Sequence, residues 1–208
     1  MQTRNLDLEG PAGPLEAVLM TPAGEPRGAA LLCHAHPLRG GTMHFRLLFR
    51  AAKIFQSRGY AALRFQFRGV GRSAGEFDRG RGEADDARAA LDFLGREYPH
   101  KPIVLGGFSF GAAVSLRVGA HDERTTALLL MGLPVLAIES APENSRAKPV
   151  LFIQGERDEF GDREAIEDFV QSFPGPTELV VIPGADHLFT EKTGLVEEAL
   201  GEWLRNLP

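Results

Sequence analysis

The sequence predicts an α/β fold: a mostly parallel central sheet, helices on both faces and an antiparallel hairpin at the N-terminus. Strand-length apolar runs alternate with segments of helical periodicity after the first 25 residues or so. Several of those runs, such as "ALLLM" and "PIVLGG", are apolar throughout rather than at every second position. A strand reads that way when helices cover both of its faces. A serine between glycines, "GFSFG" at Gly107–Gly111, also falls between one such run and a helical pattern.

Each element follows from its own signal. Asn5–Glu9 and Leu15–Thr21 flank the turn-forming "GPAGP", which predicts a hairpin. "GAALLCHAHP" begins as an apolar strand. Met43–Ser57 has helical spacing in Phe45, Leu48, Phe49, Ala52 and Phe55, with Gly59 placed to end it. "YAALRFQF" is the next strand, and Glu83–Glu97 is helical through Ala87, Ala90, Leu91 and Leu94. Strand Ile103–Phe108, helix Phe110–Ala120 and strands Ala127–Met131 and Val150–Gln154 come next. Helix Arg163–Ser172, strand Thr177–Ile182 and a helix over Thr193–Leu204 complete the chain. The longest irregular stretch is Gly132–Lys148, too short for a separate domain, so residues 1–208 are expected to form one.

Composition narrows the function. Hydrophobic residues make up 43% and charged residues 25%, as in ordinary globular proteins. A net charge of -5 argues against a nucleic-acid partner. The single cysteine, Cys33, cannot form an internal disulfide. The first residues, "MQTRNLDLEG", lack an apolar signal-peptide core, and no stretch has the length of a membrane span. A cytoplasmic protein without a membrane partner is the expectation.

"GFSFG" has the pattern of a nucleophile elbow, a strained strand-to-helix turn that presents a serine hydroxyl. Small residues are needed two positions to either side, because strand and helix pass close together there. The N–H of Phe110, at the helix start, can face a developing oxyanion, and both phenylalanines are expected to pack into the core. An acid and a histidine should follow in that order. Asp158 lies in "QGERDEFGD" and His187 in "PGADHLF", each just after a strand. Ser109, Asp158 and His187 are therefore the catalytic candidates, with histidine as base and aspartate as its orienting partner. Glu156 and Asp162 are rival acids, and Asp186 ranks below them because it adjoins the histidine. His34, His36 and His44 carry ligand-like spacing, but no completing cluster accompanies them, and neither metal nor cofactor is expected.

With these residues in place, the sequence resembles the α/β-hydrolase superfamily. More narrowly, it is similar to small bacterial serine hydrolases near the dienelactone-hydrolase-like and carboxylesterase-like families. "HAHPLRGGTMHF" (His34–Phe45), the arginine–glycine turn within Arg64–Asp86 and "GADHLF" (Gly184–Phe189) carry the resemblance, which spans nearly the whole chain. It implies an α/β-hydrolase fold and a second oxyanion donor on the loop after "ALLCHAHP". Pro37 has no N–H, so the match places that donor at the His36 backbone, with Leu38 as fallback. Dienelactone hydrolases proper use a cysteine where this chain has Ser109. Relatives with a helical cap carry it where this chain has only Gly132–Lys148, so an open site with little enclosed pocket is expected.

The implied activity is hydrolysis of a small-molecule carboxylic ester through an acyl-enzyme. Thioesters, amides and short peptides could use the same triad. A non-catalytic binding protein and a lyase are the readings from other classes. Arginines are dense in the segments near the site: Arg39, Arg68, Arg72, Arg79 and Arg81. Arg39 is the candidate for binding an anionic substrate, Arg68 is expected to brace its own turn, and Glu76, Asp78 and Glu83 are the available acidic partners for the others.

Overall fold

A computed structural model describes residues 1–138, 148–173 and 175–207. Strands β1 (Gln2–Gly10) and β2 (Gly13–Thr21) form the expected hairpin. β3 (Gly28–Cys33), helix α1 (Arg46–Ser57), β4 (Tyr60–Phe65), α2 (Arg81–Glu97), β5 (Ile103–Phe108) and α3 (Phe110–Gly119) follow. Next come β6 (Thr125–Met131), β7 (Val150–Gly155), α4 (Arg163–Gln171), β8 (Thr177–Ile182) and α5 (Thr193–Asn206). Of the irregular stretch Gly132–Lys148, residues 139–147 lie outside the described residues. No described helix is long and apolar enough to cross a membrane.

The strands form one sheet in the order β1-β2-β4-β3-β5-β6-β7-β8. β1, β2 and β4 pair antiparallel, and every pairing from β4 through β8 is parallel. Strands β3 to β5 are buried along their whole length, which explains their uninterrupted apolar sequence. Alternate residues still face opposite layers. Ala29, Leu31 and Cys33 pack with α2 and α3, whereas Ala30 and Leu32 pack with α1 and α5.

This order positions the site. From β3 the chain moves one way to β4 and then returns to the other side for β5. The loops leaving β3 and β5 therefore diverge above the sheet and open a crevice at their carboxyl ends.

Two boundaries differ from the sequence reading for local reasons. α2 starts at Arg81 because Glu83 caps it: Glu83 Oε2 accepts the Gly80 N–H at 2.7 Å and Oε1 the Asp78 N–H at 2.8 Å. β6 starts at Thr125, which pairs with Ile103 across a register irregularity. Gly59 does follow α1 in the left-handed region, at φ 84°, as a helix end requires.

Candidate active site

The elbow forms where β5 turns into α3. Ser109 has φ 57° and ψ -120°, a combination that is costly for a residue with a side chain. Two backbone bonds hold it there. The Ser109 N–H donates to the Met131 carbonyl at 2.9 Å, and the Ser109 carbonyl accepts the Ala113 N–H at 3.1 Å. The flanking glycines are required by contact. A Cβ on Gly107 would lie 2.5 Å from the Gly111 carbonyl, and one on Gly111 would lie 2.2 Å from the Cys33 carbonyl oxygen. The close approach involves β3 as well as the strand and helix that carry the motif.

His187 comes from the loop after β8 and is buried. Ser109 Oγ donates to its Nε2 at 2.8 Å, and its Nδ1–H donates to Asp158 Oδ2 at 2.8 Å. That network assigns the tautomer. Phe108 and Phe160 flank the imidazole with ring centroids at 5.1 and 4.6 Å, so its orientation is set by packing as well as by hydrogen bonds. Asp158 is held in turn. Its Oδ1 accepts the Phe160 N–H at 2.9 Å, and its Oδ2 accepts from Gln154 Nε2 at 2.9 Å. Gln154 Nε2 is itself aimed by the Gly161 carbonyl at 2.8 Å.

The rival acids have other tasks. Glu156 accepts the Gly184 N–H, and Asp162 caps α4 through the Ala165 N–H. Asp186 accepts from the Thr190 hydroxyl and N–H, and these bonds hold its carboxyl below the ordinary aspartate value.

Above Ser109 lies the loop leaving β3. The Leu38 N–H donates to His36 Nδ1 at 3.2 Å, so that group is committed to its own turn. Among the described residues, the N–H groups of Phe110 and His36 have no hydrogen-bond partner. The His36 imidazole packs against Phe77 and Phe110, with centroids at 4.8 and 5.2 Å. Phe108 is buried in the core as expected, but Phe110 is a half-buried wall of the cavity, because its helix face opens toward the crevice.

His34 fixes the base of this loop. Its Nδ1–H donates to the Ala35 carbonyl at 2.7 Å, and its Nε2 accepts the Phe67 N–H at 3.0 Å. Both ring nitrogens are spent on backbone, which leaves none for a metal. Burial pushes His34 down to about 4 from 6.5. The unfolded chain therefore binds more protons between those values, and folding stability falls as pH drops from about 6.5 to about 4. The expected loss is about 3 kcal/mol in all. Urea unfolding at a series of pH values should show it, with a shallower fall in His34→Gln. Equal slopes in the two proteins would assign the acid sensitivity elsewhere.

A cavity of about 560 Å³ opens beside Ser109 and His187. Its floor is one face of α3, and Pro134, Ile138, Phe160 and Leu188 add apolar walls. Among the described residues, α3, the His36 loop and the Pro134–Ile138 segment line a defined cavity, more of a pocket than the open site the sequence implies. Arg39 lines it, as do Arg79 and Arg117. Arg117 was not legible as a site residue, since only its i, i+7 relation to Phe110 on one helix face could have flagged it. Arg68 braces its turn through a two-point pair with Asp86 at 2.8 and 3.0 Å. Arg72 pairs with Asp7 and Glu16 on the hairpin, not with Glu76, because β1 and β2 pass beside its turn.

A model of the alpha/beta hydrolase domain matches residues 28–201. The chain belongs to the alpha/beta hydrolase family. This hydrolase resembles the α/β serine hydrolase without lid from Xanthomonas campestris at 34% identity, with a TM-score of 0.89 over 100% of this chain and 98% of that one. An α/β serine hydrolase homologue from Coxiella burnetii is 36% identical, with a TM-score of 0.89 over 100% and 99% of the two chains. An uncharacterized protein of Rickettsia prowazekii (strain Madrid E) is 32% identical over 204 residues, covering 94% of this hydrolase and 86% of the relative. The α/β-hydrolase family and fold implied by the sequence resemblance are therefore the ones found.

Proposed function

We propose that this hydrolase is a cytoplasmic serine esterase that cleaves small-molecule carboxylic esters through an acyl-enzyme on Ser109. The observation that carries the reading is the unbroken chain of hydrogen bonds from Ser109 Oγ through His187 to Asp158. Ser109 Oγ attacks the ester carbonyl while its proton passes to His187 Nε2. Asp158 stabilises the imidazolium that results, and Gln154 and the Phe160 N–H keep its carboxylate in place. The negative charge on the former carbonyl oxygen is received by the N–H groups of Phe110 and His36. His187 Nε2 then returns the proton to the leaving alcohol oxygen. A water molecule repeats the sequence on the acyl-enzyme, yielding the acid and free Ser109.

A serine nucleophile is also the one that suits this chain. Burial pushes the Cys33 thiol up to about 12, and its side chain, at the end of β3, is buried in the core rather than in the cavity. The test is labelling with a fluorophosphonate, followed by peptide mapping and a panel of ester, thioester and amide substrates. One label per chain on Ser109, with turnover fastest on esters, is the expected result. An unlabelled, folded protein would overturn the proposal, and faster turnover of thioesters or amides would reassign the bond cleaved.

A further inference from the structure

We propose that the cavity selects esters whose acyl arm ends in an anionic group, a carboxylate or phosphate, received by Arg79 and Arg117. This rests on the esterase reading above and names its substrate class.

The first argument is direction. His187 Nε2 delivers a proton to the leaving oxygen, so the leaving group must lie on the side of His187, Phe160 and Leu188. The acyl arm then has the other direction open to it, along α3. Phe110, Ala113, Val114 and Arg117 share one face of that helix and all line the cavity. From Ser109 to Arg117 is eight residues, about 12 Å of helix axis. The side chains between are apolar, so the floor suits a hydrocarbon arm and ends at a cation.

The second argument is convergence of charge. Arg117 Nη1 donates to the Gly80 carbonyl at 3.3 Å, and Gly80 directly follows Arg79. Arg117 thus reaches the segment that carries Arg79, and both residues line the cavity. Neither they nor Arg39 form a salt bridge with any described residue. The neighbouring acids are occupied: Glu83 accepts two backbone N–H groups, and Asp78 Oδ2 accepts the Gly82 N–H at 3.1 Å. Glu159 is the one acid among the described cavity residues. Among the described cavity residues, three arginines against one glutamate leave an excess of positive charge on a chain of net charge -5. Guanidinium also matches a carboxylate or phosphate by two-point contact. Arg39, on the loop after β3, adds to this excess, but its place beside His36 makes it a contributor at the mouth rather than the terminus of the α3 floor.

The experiment compares 4-nitrophenyl monoesters of unbranched dicarboxylic acids with the same compounds capped as methyl esters. Chain length is varied, and wild type is set beside Arg79→Gln, Arg117→Gln and Arg117→Lys. Wild type should favour the free carboxylate in kcat/KM at one optimal length, and added salt should weaken that preference. Either Gln variant should reduce the anionic-to-neutral ratio roughly tenfold, and the Lys variant should restore part of it. A ratio at or below one in wild type, with neutral esters cleaved and Ser109 labelled, would overturn this inference alone. A ratio untouched in both Gln variants would overturn it too. Failure to cleave any ester, with Ser109 unlabelled, would overturn the esterase reading beneath it.

Discussion

Replacing Ser109 by alanine is expected to lower kcat for ester hydrolysis by roughly four to six orders of magnitude. The loss is large because alanine removes the oxygen that is hydrogen-bonded to His187 Nε2. Asp158 is buried behind the imidazole, and Cys33 is buried in the core as a thiol. The fold should survive. The elbow is held by the Ser109 N–H to Met131 and the Ser109 carbonyl to Ala113, and alanine retains both. Circular dichroism and urea unfolding would check folding, while steady-state kinetics on 4-nitrophenyl esters would measure the loss. Turnover within tenfold of wild type would remove Ser109 from the mechanism.

Gly111→Ala is expected to damage stability and activity together. The added Cβ would lie 2.2 Å from the Cys33 carbonyl oxygen and 2.5 Å from the His34 carbonyl oxygen, both backbone atoms that no rotamer change can move. Either α3 or the end of β3 must shift. Overpacking a core typically costs about 1–3 kcal/mol, and a backbone clash belongs at or above the top of that range. The same shift would separate the Phe110 and His36 N–H groups, which sit on the two segments forced apart. Gly194→Ala is the control. Its Cβ would meet nothing within 4 Å, so its urea midpoint should stay at or above the wild-type value. Comparable losses from the two substitutions would show that the close approach at Gly111 carries no special weight.

What the sequence revealed and what it hid divide by range. The elbow was readable because its chemistry is local: glycines at two fixed offsets, a strand before and a helix after. The order of serine, acid and histidine was readable because parallel strands bring their carboxyl ends to one edge. Asp158 could be preferred over Glu156 and Asp162, but the reason became visible only when those two appeared as a loop clamp and a helix cap. Gln154 was invisible, since a buried amide bonded to Asp158 reads in sequence as an ordinary polar residue closing a strand. Phe110 was expected in the core because aromatic residues usually are, and only the crevice between the β3 and β5 loops makes it a wall. Arg72 found its partners on a hairpin more than fifty residues away in sequence, a pairing that no local pattern encodes.

The elbow has a consequence for how this chain could change over evolutionary time. The location of the reactive atom is set by main-chain torsions, by glycines that cannot be enlarged and by bonds from backbone atoms. None of these depends on what side chain position 109 carries. Under the proposed mechanism, a single codon change there would swap one attacking atom for another, while His187 and the Phe110 and His36 N–H groups stay in place. Chemistry and architecture are thus inherited separately: the frame can be conserved under selection for folding while the reaction is explored one substitution at a time.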